Sequence, residues 1–281
     1  MNLPRVYPLV SIVIPTHNSE KTLKKCLEAI ENEDYPRNKV ETIIIDNLSD
    51  DKTVEIAKRF EVKIFQLKMG RSAARNYGAK KSKGKYVLFV DSDMYLSKDV
   101  VKESVDLLES NETLVGLYIS EKIAGTGFWS KVRNFERDFY NGTCIDAVRF
   151  VRKNKFLHVN GFDEKLIGGE DWDLDRRLRE TGSVDMIRAP LYHDEGKFDL
   201  EKYLKKKKYY STTLEEYVRK WGNDDSIVNK QLSAWYRLFG VFVENGKWRK
   251  LARHPLLTLG MYYLRLRVGY VYLRLRNWQF L

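Results

Sequence analysis

Tyr86-Val87-Leu88-Phe89-Val90-Asp91-Ser92-Asp93-Met94 decides the fold class of this 281-residue chain. Residues 86–90 form an apolar, β-prone run, short enough to be a strand buried on both faces. The run stops at two carboxylates separated by one small residue. At the end of a parallel strand such acids stand on the carboxyl edge of the sheet, where open α/β sheets bind ligands. Hard oxygen donors two residues apart can hold magnesium or manganese, which in turn grips a diphosphate. The plainer reading of Asp-x-Asp is a strand leaving into a polar turn, and this stretch alone leaves both open.

On the N-terminal side, strands and helices alternate. Residues 10–14 are an apolar strand closed by Pro15 and the polar turn Thr16-His17-Asn18. Ser19 can cap the next helix, with Leu23, Cys26, Leu27 and Ile30 at helical spacing. Residues 40–45 are a second strand, running into Asp46-Asn47-Leu48-Ser49-Asp50-Asp51 and then a helix over about 53–60. Residues 62–67 read as a third strand, and Gly70-Arg71-Ser72-Ala73-Ala74-Arg75-Asn76-Tyr77-Gly78 opens a helix rich in small residues. This alternation calls for right-handed crossovers and a parallel sheet. The polar strand ends at 16–18, 46–51 and 91–93 then share one edge and converge on one crevice. Neither G-x-G-x-x-G nor a P-loop is present, so a nucleotide would be held by acids at base and ribose and by a metal at the phosphates. Arg71 and Arg75 suit charge-assisted contacts to a diphosphate, or equally a solvated helix face or a salt bridge.

These motifs resemble family 2 glycosyltransferases of the GT-A fold. Val10-Ser11-Ile12-Val13-Ile14-Pro15-Thr16-His17-Asn18 resembles the family's opening strand and turn. Ile45-Asp46-Asn47-Leu48-Ser49-Asp50-Asp51-Lys52-Thr53 is similar to its D-D-G-S-T-D-G-T segment. Asp46, Ser49, Asp51 and Thr53 match there, whereas Asn47, Leu48, Asp50 and Lys52 depart. Ala74-Arg75-Asn76-x-Gly78 and Asp91-Ser92-Asp93 also match, and the likeness covers roughly residues 8–195. It implies an α/β GT-A-type domain, with a mostly parallel central sheet flanked by helices. It also implies that Asp46 contacts the nucleobase and that Asp91 and Asp93 serve ribose and metal. Pro15, Thr16, Asn18, Asp51, Arg71, Arg75 and Ser92 are expected around the same donor. The departures at 47 and 48 leave UDP and GDP both open.

The second half carries the chemistry. Residues 113–120 suit another strand, 121–144 an irregular, aromatic, helix-containing excursion, 147–151 a strand and 161–164 a turn. In Gly168-Gly169-Glu170-Asp171-Trp172-Asp173-Leu174-Asp175-Arg176-Arg177-Leu178, two glycines allow a tight turn. The acids open a helix, whose N-terminus favours negative charge. Capping alone would explain them. The stretch nevertheless resembles the family's E-D-x-D-L segment, which implies that Asp171, beside Glu170, is the general base of a single inverting displacement. Residues 184–187 read as a short strand followed by Leu191-Tyr192-His193-Asp194. A lone histidine is more often structural, but the resemblance implies that His193 joins the metal or diphosphate site. The expected cofactor is Mn2+ or Mg2+.

Composition sets the remaining bounds. A hydrophobic share of 43% with 13% aromatics excludes a disordered chain. Cys26 and Cys144 form no metal-type spacing, which fits unlinked thiols in a reducing compartment. The opening nine residues lack an apolar core and a cleavage site, giving the expectation of no secretion. Of the net charge of +11, eight cations follow Glu244 with no acid among them. Tyr263-Leu264-Arg265-Leu266-Arg267 and Tyr272-Leu273-Arg274-Leu275-Arg276, with Tyr262, Tyr270 and Trp278, suit a lipid headgroup layer; a packed appendage or a dimer contact would also use them. The expected division is a catalytic domain at 1–198 and a basic, aromatic helical region at 199–281. The expected location is cytoplasmic, peripheral on the inner face of the cell membrane.

A sugar nucleotidyltransferase would share the sheet and metal acids but normally carries a glycine-rich phosphate loop. A nucleic-acid binder would explain a pI of 9.4 but not three acid-bearing strand ends, so no nucleic acid is expected. A hydroxyl acceptor must lose its proton as the bond forms, whereas a polyprenyl phosphate is already ionised. The base position therefore favours a lipid-linked saccharide or polysaccharide acceptor over a polyprenyl phosphate.

Overall fold

The computed structural model describes residues 7–210 and 213–275. The chain runs β1 (Val10–Thr16), α1 (Leu23–Glu31), β2 (Val40–Asp46), α2 (Thr53–Ala57), β3 (Val62–Gln66), α3 (Arg71–Lys81), β4 (Tyr86–Phe89) and β5 (Met94–Leu96). It continues α4 (Val100–Ser110), β6 (Leu114–Ala124), α5 (Phe128–Arg137), β7 (Val148–Arg152), α6 (Lys153–His158), α7 (Glu170–Arg179) and β8 (Ser183–Asp194). Helices α8 (Leu200–Tyr210), α9 (Leu214–Trp221), α10 (Ser226–Leu232), α11 (Val241–Val243), α12 (Trp248–Arg253) and α13 (Pro255–Leu275) complete it, with a π-helical turn at Tyr236–Gly240.

The strands make one sheet in the order β3-β2-β1-β4-β7-β6-β8-β5. Its β3-β2-β1-β4 part is parallel, as the alternation of strands and helices requires. β7 pairs antiparallel with β4 and β6, and β5 pairs antiparallel with β8. Successive side chains of the central strands enter opposite cores. Val10, Ile12, Ile14 and Leu88 meet Leu23 and Leu27 of α1 and Val105 of α4. Val13, Val87 and Phe89 meet Ala74 of α3 and Leu174 and Leu178 of α7. Full burial of each large side chain stabilises by roughly 1.5–3 kcal/mol, and a strand apolar on both faces is stable only with helices on both sides.

Several elements extend beyond the sequence-based expectation. β6 runs on to Ala124, and β8 carries Leu191-Tyr192-His193-Asp194 inside the sheet. Ile187, Ala189, Leu191 and His193 are buried at period two, the signature of a half-buried strand. Its partner β5, immediately after Asp93, aligns Met94 with His193. α10 does not run on into the π-helical turn. At Ser233 the backbone turns extended (ψ 122°), and its hydroxyl accepts the Tyr236 amide at 3.2 Å.

The chain packs as two compact units. The first comprises residues up to Glu121, Ala147–Glu164 and Asp173–Asp194; the second Lys122–Asp146, Lys165–Trp172 and the chain from Glu195. Residues 122–146 and 165–172 thus pack with the C-terminal helices, whereas the sequence reading grouped them with the catalytic part at 1–198. The second unit has its own core of Val132, Phe135, Phe139, Tyr236, Val241, Phe242, Met261 and Leu264. Within it, buried Glu136 receives Arg133 at 2.9 Å and Arg265 at 2.6 Å. Among the described residues no helix is long and apolar enough to cross a membrane. The side-chain expectations for Tyr272, Arg274, Arg276 and Trp278 lie outside what the structure describes.

Candidate active site

The ends of β1 and β2 are knitted into one polar edge. Asp46, fully buried, accepts the Thr16 hydroxyl at 2.8 Å, the Ser49 amide at 2.9 Å and the Gln66 amide group at 3.4 Å. The Ser49 hydroxyl also donates to it. Asn18 and Leu48, at φ 49° and 51°, bend the two loops towards each other in left-handed conformations. The Asn18 amide then donates to Ser49 Oγ at 2.9 Å, and its side-chain oxygen accepts the Asp50 amide at 3.1 Å. Asp51 accepts the amides of Glu20 (3.0 Å) and Thr53 (2.9 Å), so it closes the start of α2 onto the first loop. Pro15, beside Thr16, aligns with Ile45 in the β1–β2 register. The family's glycine, replaced here by Leu48, falls where a left-handed residue is required, and the leucine side chain is left 52% exposed.

The β4 end joins this edge through Ser92, whose hydroxyl lies 2.7 Å from that of Ser19. Asp91 receives buried Arg75 at 2.7 Å, and the Arg75 guanidinium lies 5.2 Å from the Phe162 ring centre. Burial opposes ionisation of Asp91, but the guanidiniums of Arg75, Arg149 and Arg71 outweigh it and hold the carboxyl well below the usual carboxylate range. The remaining motif residues of α3 are structural. Asn76 bonds Phe162 through both its main-chain groups, at 2.9 and 2.8 Å. A Cβ on Gly78 would lie 2.4 Å from Val13 Cγ1, so only glycine lets α3 approach β1 this closely.

Asp93 and His193 face each other across the β5–β8 pairing, Oδ2 to Nε2 3.0 Å. The other ring nitrogen, Nδ1, lies 2.8 Å from Oε1 of buried Glu121, and Arg149 donates to Glu121 Oε2 at 3.0 Å. Burial works against the imidazolium, but bonds to Asp93 and Glu121 raise His193 to about 9. Among the described residues no group of three or more His, Cys, Asp or Glu side chains is placed to hold a metal ion. Asp93 and His193 form a pair of one hard oxygen and one imidazole nitrogen, with Asp91 two residues away. That donor set fits a manganese or magnesium ion whose remaining ligands are phosphate oxygens and water.

Four acids open α7, and two of them are committed to structure. Asp173 is fully buried and bonded by Arg177 Nε at 2.9 Å, while Asp175 receives Tyr118 at 2.7 Å and Arg179 at 3.0 Å. Glu170 is buried and Asp171 half-buried. Both belong to the second compact unit. The turn before them needs its glycines. Gly169 has φ 83°, and a Cβ on Gly168 would fall 1.9 Å from the Tyr210 carbonyl oxygen.

The structure therefore brings Pro15, Thr16, Asn18, Asp46, Asp51, Arg71, Arg75, Asp91, Ser92, Asp93 and His193 to one edge of the first unit. Glu121 and Arg149 belong to the same network and were absent from the sequence-based set. Arg149, a cation inside the apolar run Val148-Arg149-Phe150-Val151, was the available signal.

Glycosyl transferase family 2 matches the chain over residues 11–166. The chain is 39% identical over 192 residues to glycosyltransferase AglE of Haloferax volcanii, covering 62% of each. Poly(ribitol-phosphate) beta-N-acetylglucosaminyltransferase TarS of Staphylococcus aureus is 31% identical over 124 residues, 42% of this chain. The chain spans 22% of the TarS match's length and 62% of AglE's. A TarS structure in complex with UDP-GlcNAc superposes with a TM-score of 0.57 at 19% identity, over 87% of this chain and 75% of that one. A mannosyltransferase from Pyrobaculum calidifontis, in complex with GDP-Man and Mn2+, gives 0.64 at 14% identity, over 94% and 86%. These structural likenesses are of fold, and the fold is GT-A-type.

Proposed function

Because the chain belongs to glycosyl transferase family 2 and is a glycosyltransferase, we propose that it transfers a sugar, with inversion, from a UDP or GDP donor to a hydroxyl of a lipid-linked saccharide or polysaccharide, in a metal-dependent reaction. The observation that carries this reading is the paired cluster at the end of β4, Arg75 on Asp91 and His193 on Asp93. Solved neighbours with UDP-GlcNAc and with GDP-Man and Mn2+ support the donor class and the metal.

Each residue has a defined task in this reading. Asp91, Asp93 and His193 would hold Mn2+ or Mg2+, which would supply positive charge at the diphosphate. Asp91 also meets the ribose, with Ser92 beside it. Arg71 and Arg75 add positive charge at the phosphates. Asp46 reaches the base by exchanging its long Gln66 contact of 3.4 Å. Pro15, Thr16, Asn18 and Asp51 shape the loops around base and ribose. Asp171, with Glu170 beside it, takes the acceptor proton as the acceptor oxygen bonds to the anomeric carbon and the sugar–phosphate bond breaks. The catalytic part at 1–198 carries this chemistry, and the region at 199–281 places it at the inner face of the cell membrane as a peripheral protein.

Labelled UDP- and GDP-sugars, offered with a lipid-linked monosaccharide and in parallel with bare polyprenyl phosphate, test the reading. Product is expected on the saccharide, with Mn2+ or Mg2+ present. Product only on the bare phosphate, undiminished by Asp171→Asn, would overturn it.

A further inference from the structure

α13 has apolar residues on two sides. Met261, Leu264 and Val268 are buried. A second stripe, Leu256, Leu259, Tyr263, Leu266 and Tyr270, is between 45% and 71% exposed. Its alternating spacing of three and four confines it to about 80° of the helix circumference. The stripe is widened on both sides. Phe128, 46% exposed, lies against Gly260, where a Cβ would meet its ring at 3.1 Å. Phe239, 50% exposed, has its ring 6.1 Å from that of Tyr262. A contiguous apolar face of this kind marks an interaction surface rather than ordinary solvent exposure.

Charge decides what covers it. Arg249 and Arg253 precede α13 or its first turn, and Arg267 stands at the stripe's margin; all three are exposed. No acid follows Glu244. A second copy laid along the stripe would bring arginines together with no flanking carboxylate to pair them, the reverse of the charge pattern that selects helix partners. An anionic lipid surface supplies the missing negative charge. Over its described residues the helix is also not long and apolar enough to span, and tyrosines on the stripe suit the headgroup level. We infer that this face of α13, with Phe128 and Phe239, docks in the plane of an anionic bilayer surface, its arginines on phosphate headgroups. The inference rests on the membrane reading above and names the face that makes the contact.

Flotation of the full chain with vesicles tests it without any sugar nucleotide. The wild-type chain is expected to float with equimolar phosphatidylglycerol and phosphatidylcholine, weakly with phosphatidylcholine alone, and less as salt rises. Leu259→Glu with Leu266→Glu should reduce partitioning at least roughly tenfold per leucine, because each side chain loses its burial in the acyl boundary. Arg249→Gln, Arg253→Gln and Arg267→Gln together should reduce it roughly fivefold per arginine, the usual value of one cation at such a surface. Both variants should melt like wild type. Failure of the wild-type chain to float with either vesicle would overturn the inference. So would a lipid-free dimer that the leucine variant converts to monomer. Flotation without transfer to a lipid-linked saccharide would instead overturn the acceptor assignment and leave this face standing.

Discussion

Glu121 Oε1 lies 2.8 Å from His193 Nδ1, and the opposite ring nitrogen faces Asp93 at 3.0 Å. A carboxylate behind an imidazole fixes the ring's orientation and raises its basicity as a ligand. Replacing Glu121 by Gln should therefore weaken manganese-dependent nucleotide affinity by about 10–100-fold, as such supporting contacts usually do. Titration of Mn2+ in the presence of UDP or GDP reads this effect. Unchanged metal affinity would reduce Glu121 to an ion-pair partner of Arg149.

Arg75 is buried and its guanidinium holds Asp91 at 2.7 Å. Truncation to Ala leaves Asp91 without its nearest cation, and breaking a buried pair in this way costs about 3–5 kcal/mol. Denaturant unfolding of Arg75→Ala should show that loss. A variant as stable as wild type would mean that Arg149 and Arg71 suffice to compensate Asp91.

Glu33 caps the start of α4, accepting the Val101 amide at 3.2 Å from a buried position. Burial, reinforced by Asp99 and Asp34, pushes its carboxyl up to about 8 from an ordinary 4.5. The folded state thus binds the proton more tightly than the unfolded state. The associated stability is fully present below pH 4.5 and is lost as pH rises through about 8. Glu33→Gln should flatten the fall in melting temperature between those limits. An identical pH profile in both proteins would show that Glu33 is ionised in the fold.

Asp171 is half-buried, unlike Asp173, which is fully buried and tied to Arg177. Asp171→Asn should lower turnover by roughly 10²–10⁴-fold, the usual worth of a general base, with nucleotide affinity preserved. A loss seen instead as weakened nucleotide binding would move Asp171 to the donor site.

Much of the first unit was legible because its signals are local. Residues 86–90 read as a strand buried on both faces and 40–45 as a second strand; β4 (Tyr86–Phe89) and β2 (Val40–Asp46) form there, and the polar stretches after them reach one edge as parallel pairing demands. The Ala74-Arg75-Asn76-x-Gly78 motif could be found but not apportioned. Only packing shows that Arg75 meets Asp91 while Asn76 and Gly78 hold the turn at 161–164 and the α3–β1 contact. Glu121 escaped because its partners, Arg149 and His193, are distant in sequence. β5 escaped because a three-residue strand has too little periodicity to register before its pairing with β8 is known. The grouping of 122–146 with the C-terminal helices depends on contacts such as Lys250 on Asp138 at 2.6 Å, which no local pattern encodes.

The most direct test of the central claim, a metal-assisted nucleotide-sugar site at the carboxyl edge of β4, is calorimetric titration of UDP and GDP into wild type and Asp93→Asn, each with Mn2+ and with excess chelator. Wild type should bind a nucleotide with an affinity that collapses in chelator, and Asp93→Asn should lose that metal dependence while melting at an unchanged temperature. Equal binding in chelator, or full manganese dependence retained by Asp93→Asn, would contradict the claim.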